Sequence, residues 1–203
     1  MNKNGLILVV SGPAGSGKGT VNHILRDTGD YVYSVSRTTR APRPGEEDGK
    51  DYFFVTREQF DEYLAAGDFL EYNEYCGNCY GTPLSTSEQI IAEGKNIILE
   101  IDVNGARQVK EKKPDAVLIM LLPPHFSDQE RRLRGRATET EEKILSRLAQ
   151  THEELRYLDM YDYIVINRDG ESMAAAEDIM AIVRAEKLAQ KRNPDMETKY
   201  FEI

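Results

Sequence analysis

Uninterrupted apolar runs alternate with amphipathic stretches along most of this chain, and that alternation predicts its elements. Residues 6–10 (Leu-Ile-Leu-Val-Val) contain no polar position, as expected of a parallel strand covered on both faces. Residues 96–101, 116–122 and 163–167 repeat the pattern, and 31–35 adds a short alternating strand. Apolar residues at helical spacing predict helices over 21–25, 85–93, 103–112 and 171–190. A further long helix is expected to start at a Thr138–Glu141 capping box and to carry Ile144, Leu148, Leu155 and Leu158 on one side. Strand and helix in alternation predict an α/β fold, a parallel sheet flanked by helices.

Two segments break the alternation. Residues 36–88 read as a small β-rich insertion. They hold a strand over 51–56 and a helix over 57–66 with Thr56 as N-cap and Phe60 and Leu64 inward, then paired strands around a Gly77-Asn78 turn. Five of the eleven tyrosines lie between Tyr52 and Tyr80, which sets this stretch apart from the aliphatic core strands. Residues 126–150 are polar and carry Arg131, Arg132, Arg134, Arg136 and Arg147, as a helical lid would. The expected organisation is a core of 1–35 and 89–203, with the lid at about 126–150 inside it, and an insertion of 36–88. The tail after Pro194 is expected to be loosely held.

The charge balance narrows the functional classes. With 26 basic and 35 acidic residues the formal charge is −9, which argues against broad binding to nucleic acid or anionic membranes. No apolar stretch approaches the roughly 18 residues that span a bilayer. The N-terminus runs directly into a strand, which leaves no room for a signal peptide and predicts a cytoplasmic protein. Cys76 and Cys79 form a C-x-x-C that could be half a zinc site or a redox pair. Gly77-Asn78 between them reads as a hairpin turn, and the histidines are distant in sequence, so two ordinary thiols at a turn is the preferred reading.

The strongest chemical signal follows the first strand: Gly12-Pro13-Ala14-Gly15-Ser16-Gly17-Lys18-Gly19-Thr20. Its glycines let backbone N–H groups converge on an anion, the following helix presents a positive N-terminus, and Lys18 adds a mobile charge. Strand, loop, lysine and helix together describe a phosphate-binding loop for a nucleoside triphosphate rather than a glycine-rich turn without a ligand. Gly19 stands where such loops usually place a Ser or Thr on magnesium, so Mg2+ must be held by water, by nucleotide oxygens or by another carboxylate. Glu100, at the C-terminal end of a core strand, is the candidate, directly or through water; the alternative for Glu100 and Asp102 is capping of the next helix. Residues 36–45 place three arginines among hydroxyls in a loop broken by Pro42, Pro44 and Gly45. Taken alone this is a solvated basic loop, although guanidinium forks suit a phosphate.

Taken together, GPAGSGKGT, SRTTRAPRPGEEDGKDYFF, FLEYNEYCGNCYGTP and LEIDVNGA with RGRATETEE resemble the guanylate kinase family over nearly the whole chain. The resemblance implies transfer of the γ-phosphoryl group of ATP to GMP with Mg2+. It implies that Arg40 and Arg43, helped by Tyr52 and Tyr80, hold the GMP phosphate, and that Ser36, Glu71, Thr82 and Asp102 surround guanine. Guanine's adjacent N1–H and N2–H₂ suit a carboxylate such as Glu71, which adenine would leave unpaired. Residues 12–20 with Lys18 correspond to the ATP phosphate site, and Arg132, Arg136 and Arg147 to lid arginines that close on the transferring group. Asn167 is a candidate contact for adenine. The competing readings are a guanylate-kinase-like binding module without catalysis, and a P-loop kinase acting on another acceptor. Both substrates are small molecules, and neither nucleic acid nor membrane is expected as a partner.

Overall fold

The first apolar run forms β1 (Ile7–Ser11), and every one of its residues is buried. A glycine-rich loop leads from it into α1 (Lys18–Asp27) and β2 (Tyr31–Tyr33). There follow β3 (Arg37–Thr38), β4 (Phe53–Phe54), α2 (Arg57–Ala65), β5 (Phe69–Tyr75), β6 (Asn78–Pro83) and α3 (Leu84–Ala92). The chain continues through β7 (Asn96–Leu99), α4 (Val103–Lys112), β8 (Val117–Leu122), α5 (Phe126–Gly135) and α6 (Glu141–Leu155). It ends with β9 (Tyr163–Ile166), α7 (Ser172–Leu188) and α8 (Met196–Phe201). This is a computed structural model, and it describes residues 4–75, 77–135 and 140–201.

Five strands build one parallel sheet in the order β2-β7-β1-β8-β9. Alternate β1 residues serve opposite faces. Leu6, Leu8 and Val10 pack with Val21 and Leu25 of α1 and Ile179 and Val183 of α7. Ile7 and Val9 pack with Val103, Ala106 and Val109 of α4 and with Leu118 and Met120 of β8. The chain reverses direction across the sheet at β1, whose neighbours β7 and β8 both come later. A crevice therefore opens beyond its C-terminal end, where the glycine loop lies.

The second sheet, in the order β4-β3-β6-β5, is mixed: β3 runs parallel to β4 and antiparallel to β6. Phe60 of α2 stacks on Phe69 of β5 at 4.5 Å between ring centres and forms its small core with Cys79. Thr56 caps α2 by a reciprocal capping box with Gln59, as its position before the helix predicts.

Several local expectations need correction. Leu64 is half exposed because Phe60 alone fills the inward position of a nine-residue helix. The strand expected over 51–56 is confined to Phe53–Phe54, with Tyr52 in an isolated bridge to Asp48, and that over 31–35 ends at Tyr33. The long helix starts after Thr140, whose hydroxyl accepts from Lys143 N; Thr138 itself lies outside the described residues. That helix stops at Leu155, and Leu158 belongs to a separate single turn. Beyond Pro194 the chain forms the short α8, in which no residue is buried. No helix among the described residues is long and apolar enough to cross a membrane.

Candidate active site

The loop between β1 and α1 has its carbonyls tied back from the site. Lys18 Nζ donates to the carbonyls of Gly12 (2.5 Å) and Pro13 (3.3 Å). Gln129 Nε2 donates to Ala14 O (3.0 Å), Arg132 Nη1 to Gly15 O (3.3 Å), and Asn167 Nδ2 to Ser16 O (2.8 Å). With its carbonyls held by these side chains, the loop can turn its N–H groups toward an anion. Gly12 is obligatory: a Cβ there would lie 2.2 Å from Leu121 O. Gly17, at φ 91° before α1, would drive a Cβ to 2.2 Å from Asn167 Nδ2.

Two recesses are lined by this loop, and another adjoins the first at Glu100. The first, about 580 Å³, is lined by Gly12, Ala14 and Lys18 of the loop, Glu100 and Asp102 beyond β7, and Arg147 of α6. A second, about 830 Å³, runs past Tyr33, Ser36, Tyr52 and, again, Glu100. The third, about 290 Å³, lies behind the loop between Gly15, Gly17, Arg132, Asn167 and Asp169. Glu100 thus forms a wall common to the first two.

Glu71 and Thr82 meet across the β5–β6 pair, with Thr82 Oγ1 donating to Glu71 Oε1 at 2.6 Å. Glu71 is 7% exposed, and burial pushes its carboxyl above the ordinary glutamate range despite the Thr82 bond. Arg40, on the loop after β3, makes a two-pronged ion pair with Glu46 (Nη2–Oε1 2.8 Å, Nη1–Oε2 3.0 Å) and stands beside Tyr52 and Tyr80. Its Nε is buried with no hydrogen-bond partner among the described residues. With the two Nη groups on Glu46, the Nε side of the fork remains for a second anion. Glu46 Oε2 also accepts from the Arg43 amide (2.7 Å), and both contacts hold its carboxyl below the usual glutamate range.

The structure therefore brings Lys18, Glu100, Asp102 and Arg147 to one recess, and Ser36, Tyr52 and Glu100 to the next. Arg132 lies elsewhere, against the loop carbonyls, Asn167 O (2.7 Å) and Asp169 (2.8 Å) in the third recess. Asn167 is 3% exposed and spends its amide on Ser16 O while facing that same recess. Thr20 and Gly19 are exposed in the first turn of α1. Asp102 caps α4 through Gly105 N (2.9 Å), the role weighed as its alternative. Arg136 and Cys76 lie outside the described residues; Cys79 is buried, which raises its thiol pKa.

Sequence reasoning missed Asn22, Tyr33 and Glu46. Asn22 Nδ2 and Tyr33 OH both donate to Glu100 Oε2, at 3.0 and 3.3 Å. Asn22 Oδ1 is itself buried and has no hydrogen-bond partner among the described residues. A polar Asn among the apolar positions of α1 was the available signal.

Comparison with known proteins identifies a family. The sequence profile of the family described as Guanylate kinase matches residues 4–185. A guanylate kinase of Lactococcus lactis subsp. lactis is 50% identical over 187 residues, 92% of this chain and 90% of its own. One from Lactiplantibacillus plantarum is 48% identical over 95% of this chain and 93% of its own. The crystal structure of guanylate kinase from Anaplasma phagocytophilum superposes with a TM-score of 0.71 at 35% identity, covering 95% of this chain and 91% of that one. The chain belongs to the guanylate kinase family.

Proposed function

We propose that this chain performs the reaction of its family, transfer of the γ-phosphoryl group of ATP to GMP to give ADP and GDP, with the following division of roles. ATP phosphates lie on the loop amides of residues 12–20 and on Lys18, with the adenosine toward the third recess, where Asn167 contacts the base. GMP lies in the insertion, residues 36–88. Its phosphate is on Arg40, Arg43, Tyr52 and Tyr80, and its base is against Glu71, Thr82, Ser36 and Asp102. The observation that carries the reading is the first recess, where Lys18 of the loop and Arg147 of α6 face one space; Glu100 lines both this recess and the neighbouring one beside Ser36 and Tyr52.

An oxygen of the GMP phosphate attacks the γ-phosphorus, one O–P bond forms, and the bond to the β-phosphate oxygen breaks to release ADP. The nucleophile is already anionic, so no general base is required. The chain contributes position and positive charge, from Lys18 and from the lid arginines Arg132, Arg136 and Arg147. Arg147 is the lid arginine that lines the first recess.

The donor set fits Mg2+ held chiefly by nucleotide oxygens and water. Glu100 has one oxygen committed to Asn22 and Tyr33, and the unpartnered Asn22 Oδ1 beside it is an acceptor suited to a bound water. When bound, Mg2+ supplies charge neutralisation on the β- and γ-oxygens. We place the protein in the cytoplasm, where both nucleotides are made and used.

ADP release from ATP and Mg2+ tests the assignment, with GMP, AMP, CMP, UMP and ribose 1,5-bisphosphate offered separately. Turnover with GMP alone is expected. Turnover with another acceptor would remove Glu71, Ser36 and Thr82 from base recognition, and none in a folded sample that binds GMP would favour a binding module.

A further inference from the structure

Gln129 lies on α5 and is 1% exposed, an uncommon place for a side chain with three hydrogen-bonding groups. Both N–H groups of its amide are used. One goes to the carbonyl of Ala14 in the phosphate loop at 3.0 Å, the other to Thr151 Oγ1 at 2.7 Å. The amide orientation is unambiguous, since a carbonyl accepts only from the nitrogen. Thr151 is buried as well, and its hydroxyl proton goes to Arg147 O, one turn earlier on α6, at 3.1 Å. Below this chain of bonds Leu133, Ile144 and Leu148 pack against Ala14. A continuous polar link therefore runs from the phosphate loop through α5 to the turn of α6 that carries Arg147.

We infer that Gln129 and Thr151 are positioning residues that lock the phosphate loop to the Arg147 turn, so that nucleotide bound on the loop sets the placement of that arginine. This rests on the kinase reading for its kinetic consequence, but the link itself is a property of the fold. The bond from the buried Gln129 amide to Ala14 O fixes the loop, and a hydroxyl that receives from the loop side and donates to the helix carries that constraint onward. Misplacement of a charge by about 1 Å is enough to cost up to a hundredfold in rate.

The test compares Gln129→Leu, Thr151→Ala and the double variant, with kcat, KM and Tm measured for each. Gln129→Leu strands the Ala14 carbonyl and the Thr151 hydroxyl, so Tm and kcat should both fall, kcat by about tenfold or more, with KM for GMP unchanged. The double variant replaces the polar pair with an apolar one and should recover much of the Tm while kcat stays low. Recovery of kcat along with Tm, or a wild-type kcat in Thr151→Ala, would overturn the inference. If Gln129→Leu does not fold, the other two variants decide. Amide hydrogen exchange with a non-hydrolysable ATP analogue gives a readout independent of turnover. In the wild type the analogue should slow exchange both in the loop and around residues 147–151. In Thr151→Ala it should slow the loop alone; equal protection of α6 in the variant would refute the link. Should the wild type fail to phosphorylate GMP, the reaction assignment fails and the exchange result alone judges the link.

Discussion

Replacing Glu71 by Gln changes one atom type at a buried, paired position, which makes the consequences calculable. In the proposed role, Glu71 as a carboxylate would offer guanine two acceptors for N1–H and N2–H₂, each a charge-assisted bond of roughly 1.5–3 kcal/mol. Gln retains one neutral acceptor and turns the other into a donor that faces a donor. The net loss is about 3–4 kcal/mol, or roughly 10²- to 10³-fold in kcat/KM for GMP. Adenine benefits from the same change, since its N1 accepts and its N6 donates, so AMP should become a measurable acceptor. The Thr82 bond survives because the Gln carbonyl can still accept from Oγ1.

The same substitution should act on stability in the opposite sense. Burial raises the Glu71 carboxyl above 4.5, so the folded state holds that proton more tightly than the unfolded chain. The associated stability is fully present below the unfolded value and is lost as pH rises through the raised folded value. At neutral pH the ionised side chain is therefore a cost, and Gln removes it. The ADP-release assay with GMP and AMP, run beside a thermal melt at pH 7, should give a collapsed GMP preference with an equal or higher Tm. An unchanged GMP-to-AMP ratio would refute the guanine role. A fall in Tm together with lost activity would show that Glu71 is needed for folding instead.

Other outcomes follow from the same geometry. A Cβ at Gly19 meets nothing within 4 Å, so Gly19→Ala should raise stability by about 0.5–1 kcal/mol in a denaturant titration, and Gly19→Ser should lower the Mg2+ needed for half-maximal rate. Arg147→Ala should cut kcat on the order of a thousandfold with little change in KM, whereas Arg132→Ala should act first on KM for ATP by freeing the loop carbonyls. Glu46→Gln should raise KM for GMP several-fold without moving KM for ATP. The wild-type Arg40–Glu46 pair should persist down to acid pH, because its depressed carboxyl titrates below the ordinary glutamate value.

The sequence exposed what depends on periodicity and on the loop motif. The strands expected over 6–10, 96–101, 116–122 and 163–167 form as Ile7–Ser11, Asn96–Leu99, Val117–Leu122 and Tyr163–Ile166, and the helix over 103–112 forms as expected, because parallel strands buried on both faces read as near-continuous apolar runs. Strand order was not readable, since pairing β1 between β7 and β8 depends on which faces the helices cover. Capping by Thr140 was hidden by another candidate two residues earlier. The Asn22–Glu100–Tyr33 contact and the ties of Gln129, Arg132 and Asn167 to the loop carbonyls join residues 67 to 151 positions apart, so no local window holds both partners.

The arginines of the lid show why such contacts matter to the chemistry. In sequence, Arg132 and Arg147 are equivalent, two cations on polar helical segments near a phosphate loop. In the fold, Arg132 gives its N–H groups to the Asp169 carboxylate and to the carbonyls of Gly15, Ser16 and Asn167, which leaves little of the fork for a phosphate. Its charge lies against the phosphate loop, and holding those carbonyls strengthens the proposed anion site from behind. Arg147 extends from a helix that Thr151 and Gln129 fasten to the same loop, and it lines the recess shared with Lys18 and Glu100. One arginine thus shapes the loop, while the other lines the recess where the proposed transfer takes place. The first should be replaceable by any donor that keeps the loop carbonyls occupied, and the second only by a group that brings positive charge to the same recess.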